Sequence, residues 1–370
     1  DEFASEKSHV RDRPSERRNA EPQESEEDFE PRRHAAKIGA PNEHACRVNE
    51  ANFTHIMSLS DSTVFAGGDF KKYDDARIGL LTHGLNYGTG CFEGVRGYWN
   101  ADDRELYLLQ LREHYERLHA SAKILMMDLP HSIDDLVEIT IELCARNRFE
   151  ENIYVRPLMY KSAEDIGVKL AGVPDAFAMI AIPFSKYFDA TAGLRTCVSS
   201  WRRLDDTMVP ARAKITGAYI NSAFAKSEAL MNGFDEAIML SADGHVAEGS
   251  AANLFVVKRG VVYTPDASQN VLEGITRRSM MLLAKDELGM PIVERAIDRS
   301  ELYTADELFL SGSAVGISFI NSVDHRVIGE GTMGPVAREL GRIFNELTYG
   351  RVAKYKHFLT ATYANRKISV

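Results

Sequence analysis

Val209-Pro210-Ala211-Arg212-Ala213-Lys214-Ile215-Thr216-Gly217 sets one amine among small and apolar neighbours. Further on, His245-Val246-Ala247-Glu248-Gly249-Ser250-Ala251-Ala252-Asn253-Leu254-Phe255 sets a lone carboxylate before tiny residues and a strand-like run. An amine that can add to a carbonyl and a carboxylate that can hold a ring nitrogen protonated make a catalytic pair, provided the fold turns them toward each other. Singly, neither is distinctive. Lysines are common, and a carboxylate beside a turn is commonplace. The surrounding sequence has to decide.

The 370 residues suffice for two domains or one large one, and the formal charge of -10 argues against a nucleic-acid footprint. The longest apolar run, Ala176 to Phe184, is far shorter than the roughly 20 residues of a membrane helix and reads as a buried strand. Cys46, Cys91, Cys144 and Cys197 are scattered, with no Cys-x-x-Cys pair and no histidine cluster at metal spacing. Reduced thiols, no structural metal and a cytoplasmic protein without membrane or nucleic-acid partners are the expectation.

Residues 1–57 are dense in charge and lack apolar periodicity, so they are expected to form a disordered N-terminal extension. A small α+β domain is expected over 58–186, an interdomain loop over 187–198 and a large α+β domain over 199–370. Phe65-Ala66-Gly67-Gly68-Asp69-Phe70 reads as a tight hairpin. Leu111 to Leu125 has helical spacing, and Ser132 with Asp135 marks the start of a helix running to about Asn147. Further helices are expected over Ile215–Met231, from Thr276 to Gly289 and over Met333–Tyr349, with hairpin turns at Asp243-Gly244 and Arg259-Gly260. Hairpins mixed with a few helices point to α+β domains rather than a doubly wound sheet.

A phosphate group needs backbone donors and usually a cation. Leu272-Glu273-Gly274-Ile275-Thr276 could supply the donors at a helix start, although a plain helix cap reads the same way. Ser311-Gly312-Ser313-Ala314 is a second hydroxyl-and-glycine turn. Arg117 lies on an amphipathic helix, by default solvated or salt-bridged. His114 and His119 on that helix read as surface or capping residues. No GxSxG elbow, HExxH or Walker loop is present, and Gly88-Thr89-Gly90 is not a dinucleotide loop.

Read together, Tyr87-Gly88-Thr89-Gly90-Cys91-Phe92-Glu93-Gly94-Val95-Arg96, Glu116-Arg117-Leu118-His119, Tyr154-Val155-Arg156-Pro157-Leu158, Ala213-Lys214, Glu248-Gly249, Asn253-Leu254-Phe255, Gly274-Ile275-Thr276 and Ser311-Gly312-Ser313-Ala314 follow one another in a recognisable order. In that order the chain resembles the class IV pyridoxal-phosphate aminotransferases, and most closely the branched-chain amino acid aminotransferases. The resemblance covers about Phe65 to Tyr349. It implies the two-domain fold type IV architecture with pyridoxal 5'-phosphate between the domains. Lys214 would bind the cofactor covalently and move the α-proton. Glu248 would meet the pyridine nitrogen and Tyr219 the phenolic oxygen. Leu272 and Gly274 would line the cofactor site, with Arg117, Ile275, Thr276 and Ser313 around the phosphate.

The substrates implied are small amino acids and 2-oxo acids: leucine, isoleucine and valine exchanging an amino group with 2-oxoglutarate. One pocket must then take an aliphatic side chain and later a charged one. Phe92, Val168 and Tyr187 would form its walls, with Gly94 also at the substrate site. Arg156 with Tyr87 would meet the distal carboxylate of glutamate, and Tyr154, Ser313 and Ala314 the α-carboxylate. In the family Tyr87 and Val168 reach in from a neighbouring subunit, so a homodimer or higher homo-oligomer is expected. Ser313 stands where a threonine is common, Ser250-Ala251-Ala252 replaces a more polar run, and Phe184 stands near a frequent tryptophan. D-amino acid aminotransferases, (R)-amine transaminases and aminodeoxychorismate lyases share the lysine, acid and phosphate elements. A catalytically silent binding protein is the non-enzyme alternative.

Overall fold

The computed structural model describes residues 59–184 and 192–364, so the expected extension over 1–57 and the candidate wall residue Tyr187 lie outside the described residues. The first stretch opens with the hairpin β1 (Thr63–Ala66) and β2 (Asp69–Lys72), turned at Gly67-Gly68. A short helix, α1 (His83–Tyr87), leads into β3 (Gly90–Phe92), β4 (Val95–Asn100) and β5 (Glu105–Leu109). Then come α2 (Leu111–Ile124), α3 (Ile133–Asn147), β6 (Ile153–Lys161) and β7 (Asp175–Pro183). Ser132 and Asp135 form a reciprocal capping box, which is why α3 begins where their spacing predicts.

β6 buries every second residue and pairs with β7 along its whole length, Ile153 opposite Pro183 and Lys161 opposite Asp175. That is the period of a sheet with one face in the core. Leu111, Tyr115, Leu118 and Ala122 recur at helical spacing on α2 and pack with Leu136 and Leu143 of α3 against the sheet's Val95, Leu106, Val155 and Met159. At the end of β6, the buried Lys161 ammonium is matched by Asp175 at 2.8 Å and the Met126 carbonyl at 2.7 Å. That pairing offsets its desolvation.

β8 (Leu194–Val198) opens a second sheet and is followed by α4 (Tyr219–Met231), β9 (Glu236–Leu240), β10 (Val246–Gly249), β11 (Asn253–Lys258) and β12 (Val261–Thr264). α5 (Ile275–Asp286), β13 (Ile292–Glu294), α6 (Arg299–Leu302), β14 (Glu307–Gly312), β15 (Gly316–Val323), β16 (Arg326–Val327) and α7 (Pro335–Thr348) complete this half. Among the described residues it is a nine-stranded sheet in the order β10-β9-β8-β15-β14-β11-β12-β13, with β16 beside β15. Both faces are buried. Phe255 and Val257 of β11 join a core beneath α5 and α7, while Leu254 and Val256 join the opposite core.

Two segments depart from the sequence reading. A strand expected to open the second half near Leu194–Trp201 is β8, which pairs with both β9 and β15, so the interdomain loop bounded at 198 overlaps the second sheet from Leu194 onward. The chain's end does not stay with the second half. β17 (Leu359–Ala361) pairs with β5 at the edge of the first, eight-stranded sheet. The buried Glu105 carboxylate anchors it by accepting the N–H groups of Thr362 at 2.8 Å, Tyr363 at 2.7 Å and Ala364 at 2.7 Å. Long-range anchoring of this kind leaves no local sequence pattern. Among the described residues no helix is long and apolar enough to cross a membrane, and Cys91, Cys144 and Cys197 are free and buried.

Candidate active site

The lysine segment forms no helix until Tyr219, four residues later than its spacing suggests. Ile215 instead bridges Cys91 of β3, and a turn over Thr216–Ala218 precedes the helix. The Phe92 N–H donates to the Lys214 carbonyl at 3.1 Å, and the Thr216 N–H to the Gly90 carbonyl at 2.8 Å. At Gly217 the N–H donates to the Gly88 carbonyl at 3.0 Å. Gly88 has a φ of +65°, and a Cβ there would lie 2.7 Å from the Gly217 Cα, so the approach excludes side chains at this crossing. Ala213 and Ile215 enter the core of the first half, with Lys214 between them. Its backbone is held by the Ser121 hydroxyl at 3.1 Å, and its ammonium donates to the Tyr219 hydroxyl at 2.6 Å. The same ammonium lies 4.9 Å from the Phe92 ring centroid, within cation–π range.

Glu248 projects from β10 with 5 % of its surface exposed. Arg203 Nε meets Oε1 at 2.9 Å, while the Asn253 amide and the Leu272 N–H reach Oε2 at 3.0 and 3.3 Å. Burial raises the Glu248 pKa, and the charges of Arg203, Lys214 and Arg277 oppose that rise. Asn253 also donates to the Leu272 carbonyl at 2.8 Å. Its Oδ1 would sit 2.0 Å from a Cβ on Gly274, so one amide locks the carboxylate to the loop before α5 and demands glycine there. α5 starts at Gly274 with no side-chain cap and no acid in its first turn. Ile275 and Thr276 are buried there, so its first N–H groups form an anion-favouring helix end.

Arg117 meets that end from α2. Its Nη1 donates to the Glu273 carbonyl at 3.0 Å, while Nε and Nη2 fork onto the two oxygens of Glu93 at 2.7 and 2.8 Å. His114, one turn before Arg117, places Nδ1 2.6 Å from Glu93 Oε2. Burial would raise the Glu93 pKa, but the charge and hydrogen bonds of Arg117, then those of His114, hold the carboxyl well below the ordinary range. Burial pulls the His114 pKa down despite Glu93. An ionised Glu93 can only accept, so Nδ1–H is the donor of that hydrogen bond. The expectation that His114 and His119 are surface or capping residues is overturned for His114, which is buried; His119 is half-buried, with its Nε2 covered and without a partner among the described residues.

A third group lies on β6. Arg156 Nη2 donates to the Tyr154 hydroxyl at 3.0 Å, and the guanidinium sits 4.3 Å from the Phe92 ring centroid. The Arg156 Nε is buried with no partner among the described residues, as is the Ser311 hydroxyl on β14. A Cβ on Gly94 would lie 2.0 Å from the Tyr154 hydroxyl, so this close packing against Tyr154 calls for glycine. Phe92 thus touches both Lys214 and Arg156, joining the amine to an apolar wall with a cation at its edge.

Residues 90–323 match the amino-transferase class IV family. The chain belongs to that family. This class IV chain is 42 % identical over 308 residues to a probable branched-chain-amino-acid aminotransferase of Aquifex aeolicus, covering 83 % of this chain and 99 % of the relative. It superposes on a branched-chain aminotransferase of Thermoproteus uzoniensis, crystallised with norvaline, at a TM-score of 0.78. Identity there is 41 %, covering 82 % of this chain and 99 % of the other. The branched-chain amino acid aminotransferase of Thermobaculum terrenum in its PLP form gives a TM-score of 0.79 at 33 % identity, covering 82 % of this chain and 99 % of that one.

Of the residues singled out in the sequence, direct contacts join Lys214, Tyr219, Phe92, Gly94, Tyr154 and Arg156, and separately Glu248 and Leu272, with Gly274 beside them through Asn253. Ser313 and Ala314 lie half-buried in the turn between β14 and β15. Ser311 pairs with Asn253, which carries that turn toward the Glu248 group. Tyr87 and Val168 lie apart from both groups: they are 37 % and 77 % exposed, and the Gly167 N–H donates to the Tyr87 hydroxyl at 3.2 Å. Sequence reading missed Glu93, Arg203 and Asn253. The i, i+3 spacing of His114 and Arg117 was the one available signal for a shared partner of Glu93's kind.

Proposed function

We propose that this chain is a pyridoxal-phosphate-dependent aminotransferase exchanging the amino group between leucine, isoleucine or valine and 2-oxoglutarate. The reading rests on Lys214 and the buried Glu248, near enough for the lysine's charge to act on the carboxylate, and on the uncapped start of α5 with Arg117 beside it. These residues fit the cofactor: a helix end and a cation for its phosphate, a buried carboxylate for its ring nitrogen, and an unpartnered Ser311 hydroxyl nearby. Lys214 and Tyr219 would hold its reactive face, Glu248, Leu272 and Gly274 its ring, and Arg117, Ile275, Thr276 and Ser313 its phosphate. Once bound, pyridoxal phosphate supplies a carbonyl for the amino group and a ring that accepts electrons as the α-proton leaves.

The chain's own residues then divide the work. Lys214 moves the α-proton, and Tyr219, 2.6 Å away, holds the amine in place. Arg203 opposes the burial that raises the Glu248 pKa and so favours the ionised carboxylate, the form that would retain a proton on the opposing nitrogen. Phe92 and Tyr154 present ring faces to an aliphatic side chain, while Arg156, whose Nε has no partner among the described residues, meets the distal carboxylate of glutamate. Gly94 leaves room for both. Tyr154, Ser313 and Ala314 receive the α-carboxylate, and Tyr187 closes the wall.

We infer a homodimer or larger homo-oligomer in which Tyr87 and Val168 complete the neighbour's pocket. Support comes from their exposure alongside Ile78, Leu80, Leu81, Leu85 and Ile166, an apolar set costly to leave in water. The free cysteines fit a reducing, cytoplasmic compartment. A panel of L-amino acids, D-amino acids and simple amines against 2-oxoglutarate tests the reading. Turnover confined to L-leucine, L-isoleucine and L-valine supports it; a preference for D-amino acids or amines, or no turnover, overturns it.

A further inference from the structure

Glu93 is fully buried between β3 and β4, and its backbone N–H donates to the Pro157 carbonyl at 3.0 Å. A carboxylate so deep in the protein is costly unless each oxygen is paired. Here Oε1 takes Arg117 Nε, and Oε2 takes Arg117 Nη2 and His114 Nδ1. A two-point fork fixes the plane and direction of a guanidinium, which a single contact cannot do. With Nε and one edge so held, Nη1 reaches the Glu273 carbonyl at 3.0 Å, one residue before the N-cap of α5. Side chains of successive residues in extended backbone leave on opposite faces. Phe92 accordingly faces Lys214 and Arg156, while Glu93 faces Arg117.

We propose that Glu93 is a positioning residue for phosphate recognition: it holds Arg117 in the one orientation that directs its remaining N–H donors to the N-terminus of α5, with His114 bracing the carboxylate from the preceding helical turn. This rests on the reading that the α5 end receives the cofactor phosphate. The order Phe92-Glu93-Gly94 then has a single sense. One residue lines the wall beside the amine, the next sets the phosphate-facing cation from behind, and the third leaves room for Tyr154. A purely electrostatic view makes the opposite forecast, since removing a negative charge near a phosphate should tighten its binding.

The test compares dissociation constants for pyridoxal phosphate and for pyridoxal, which lacks the phosphate. They are measured by fluorescence on the full chain freed of bound cofactor, for wild type, Glu93→Gln and Glu93→Asp. The expected result for Glu93→Gln is pyridoxal phosphate binding weakened at least about tenfold, with pyridoxal binding within about twofold of wild type. Glu93→Asp keeps the charge but shortens the fork, and should show the same selective loss at smaller size; it carries the test if the glutamine variant does not fold. Equal weakening of both ligands, no change, or tighter binding of pyridoxal phosphate in the variants would overturn the proposal. If wild type itself fails to prefer pyridoxal phosphate over pyridoxal, the phosphate site at α5 is what falls, and with it the premise.

Discussion

Replacing Arg203 by methionine removes the cation from a carboxylate that is only 5 % exposed. Glu248 then keeps the Asn253 amide at 3.0 Å and the Leu272 N–H at 3.3 Å, neither of which carries charge. Leaving one member of a buried pair uncompensated costs about 3–5 kcal/mol. With about 2.1 cal/mol/K of unfolding entropy per residue over roughly 300 residues, the melting temperature should drop by about 5–8 °C. The loss should depend on pH. Burial already raises the Glu248 pKa against the opposing charge of Arg203, and without the arginine the rise is larger. The unfolded value is about 4.3, so between that pH and the folded pKa the folded protein binds more protons. Stability therefore falls as pH rises through this window. Thermal melts of cofactor-free R203M should show the full deficit at pH 8 and a clearly smaller one at pH 5. Adding Glu248→Gln should recover most of the loss at pH 8. A deficit equal at both pH values, or none at pH 8, would refute the claim that Arg203 favours the ionised form of Glu248.

Arg156→Ala should slow the half-reaction with glutamate by about tenfold or more, the size of a lost charge-assisted hydrogen bond, and that with leucine far less. Single-turnover absorbance with each donor checks this, and equal losses would mean that Arg156 does not read the distal carboxylate. Gly274→Ala would bring a Cβ to 2.0 Å from Asn253 Oδ1, displacing the amide that ties Glu248 to the loop before α5. Its affinity for pyridoxal phosphate should fall while the melting temperature of the cofactor-free chain changes little, as titration and thermal melts would show.

Local elements were legible because local physics fixes them. The capping box at Ser132 and Asp135, the double-glycine hairpin after Ala66 and the apolar run that forms β7 each follow from neighbouring residues. The lysine, the acid and the phosphate-type turns were legible as motifs, since their order is carried by the chain itself. What escaped depends on contacts between distant segments. Glu93 reads as one acid beside a glycine until α2 brings Arg117 and His114 onto it. Arg203 is the second of two arginines after a tryptophan until β10 places Glu248 opposite. The late start of α4 has the same origin: Gly88 and Gly217 cross too closely for the helix to begin at Ile215. β17 returns to the first sheet only because Glu105 collects three successive N–H groups far along the chain.

The central claim is that Lys214 is the residue to which pyridoxal phosphate attaches. Borohydride reduction of the cofactor-loaded protein, followed by peptide mass spectrometry, tests it most directly. A phosphopyridoxyl group on the peptide containing Lys214, absent from Lys214→Ala, is the predicted result. A label on another lysine, or an unlabelled Lys214 peptide from protein that has bound the cofactor, would contradict it.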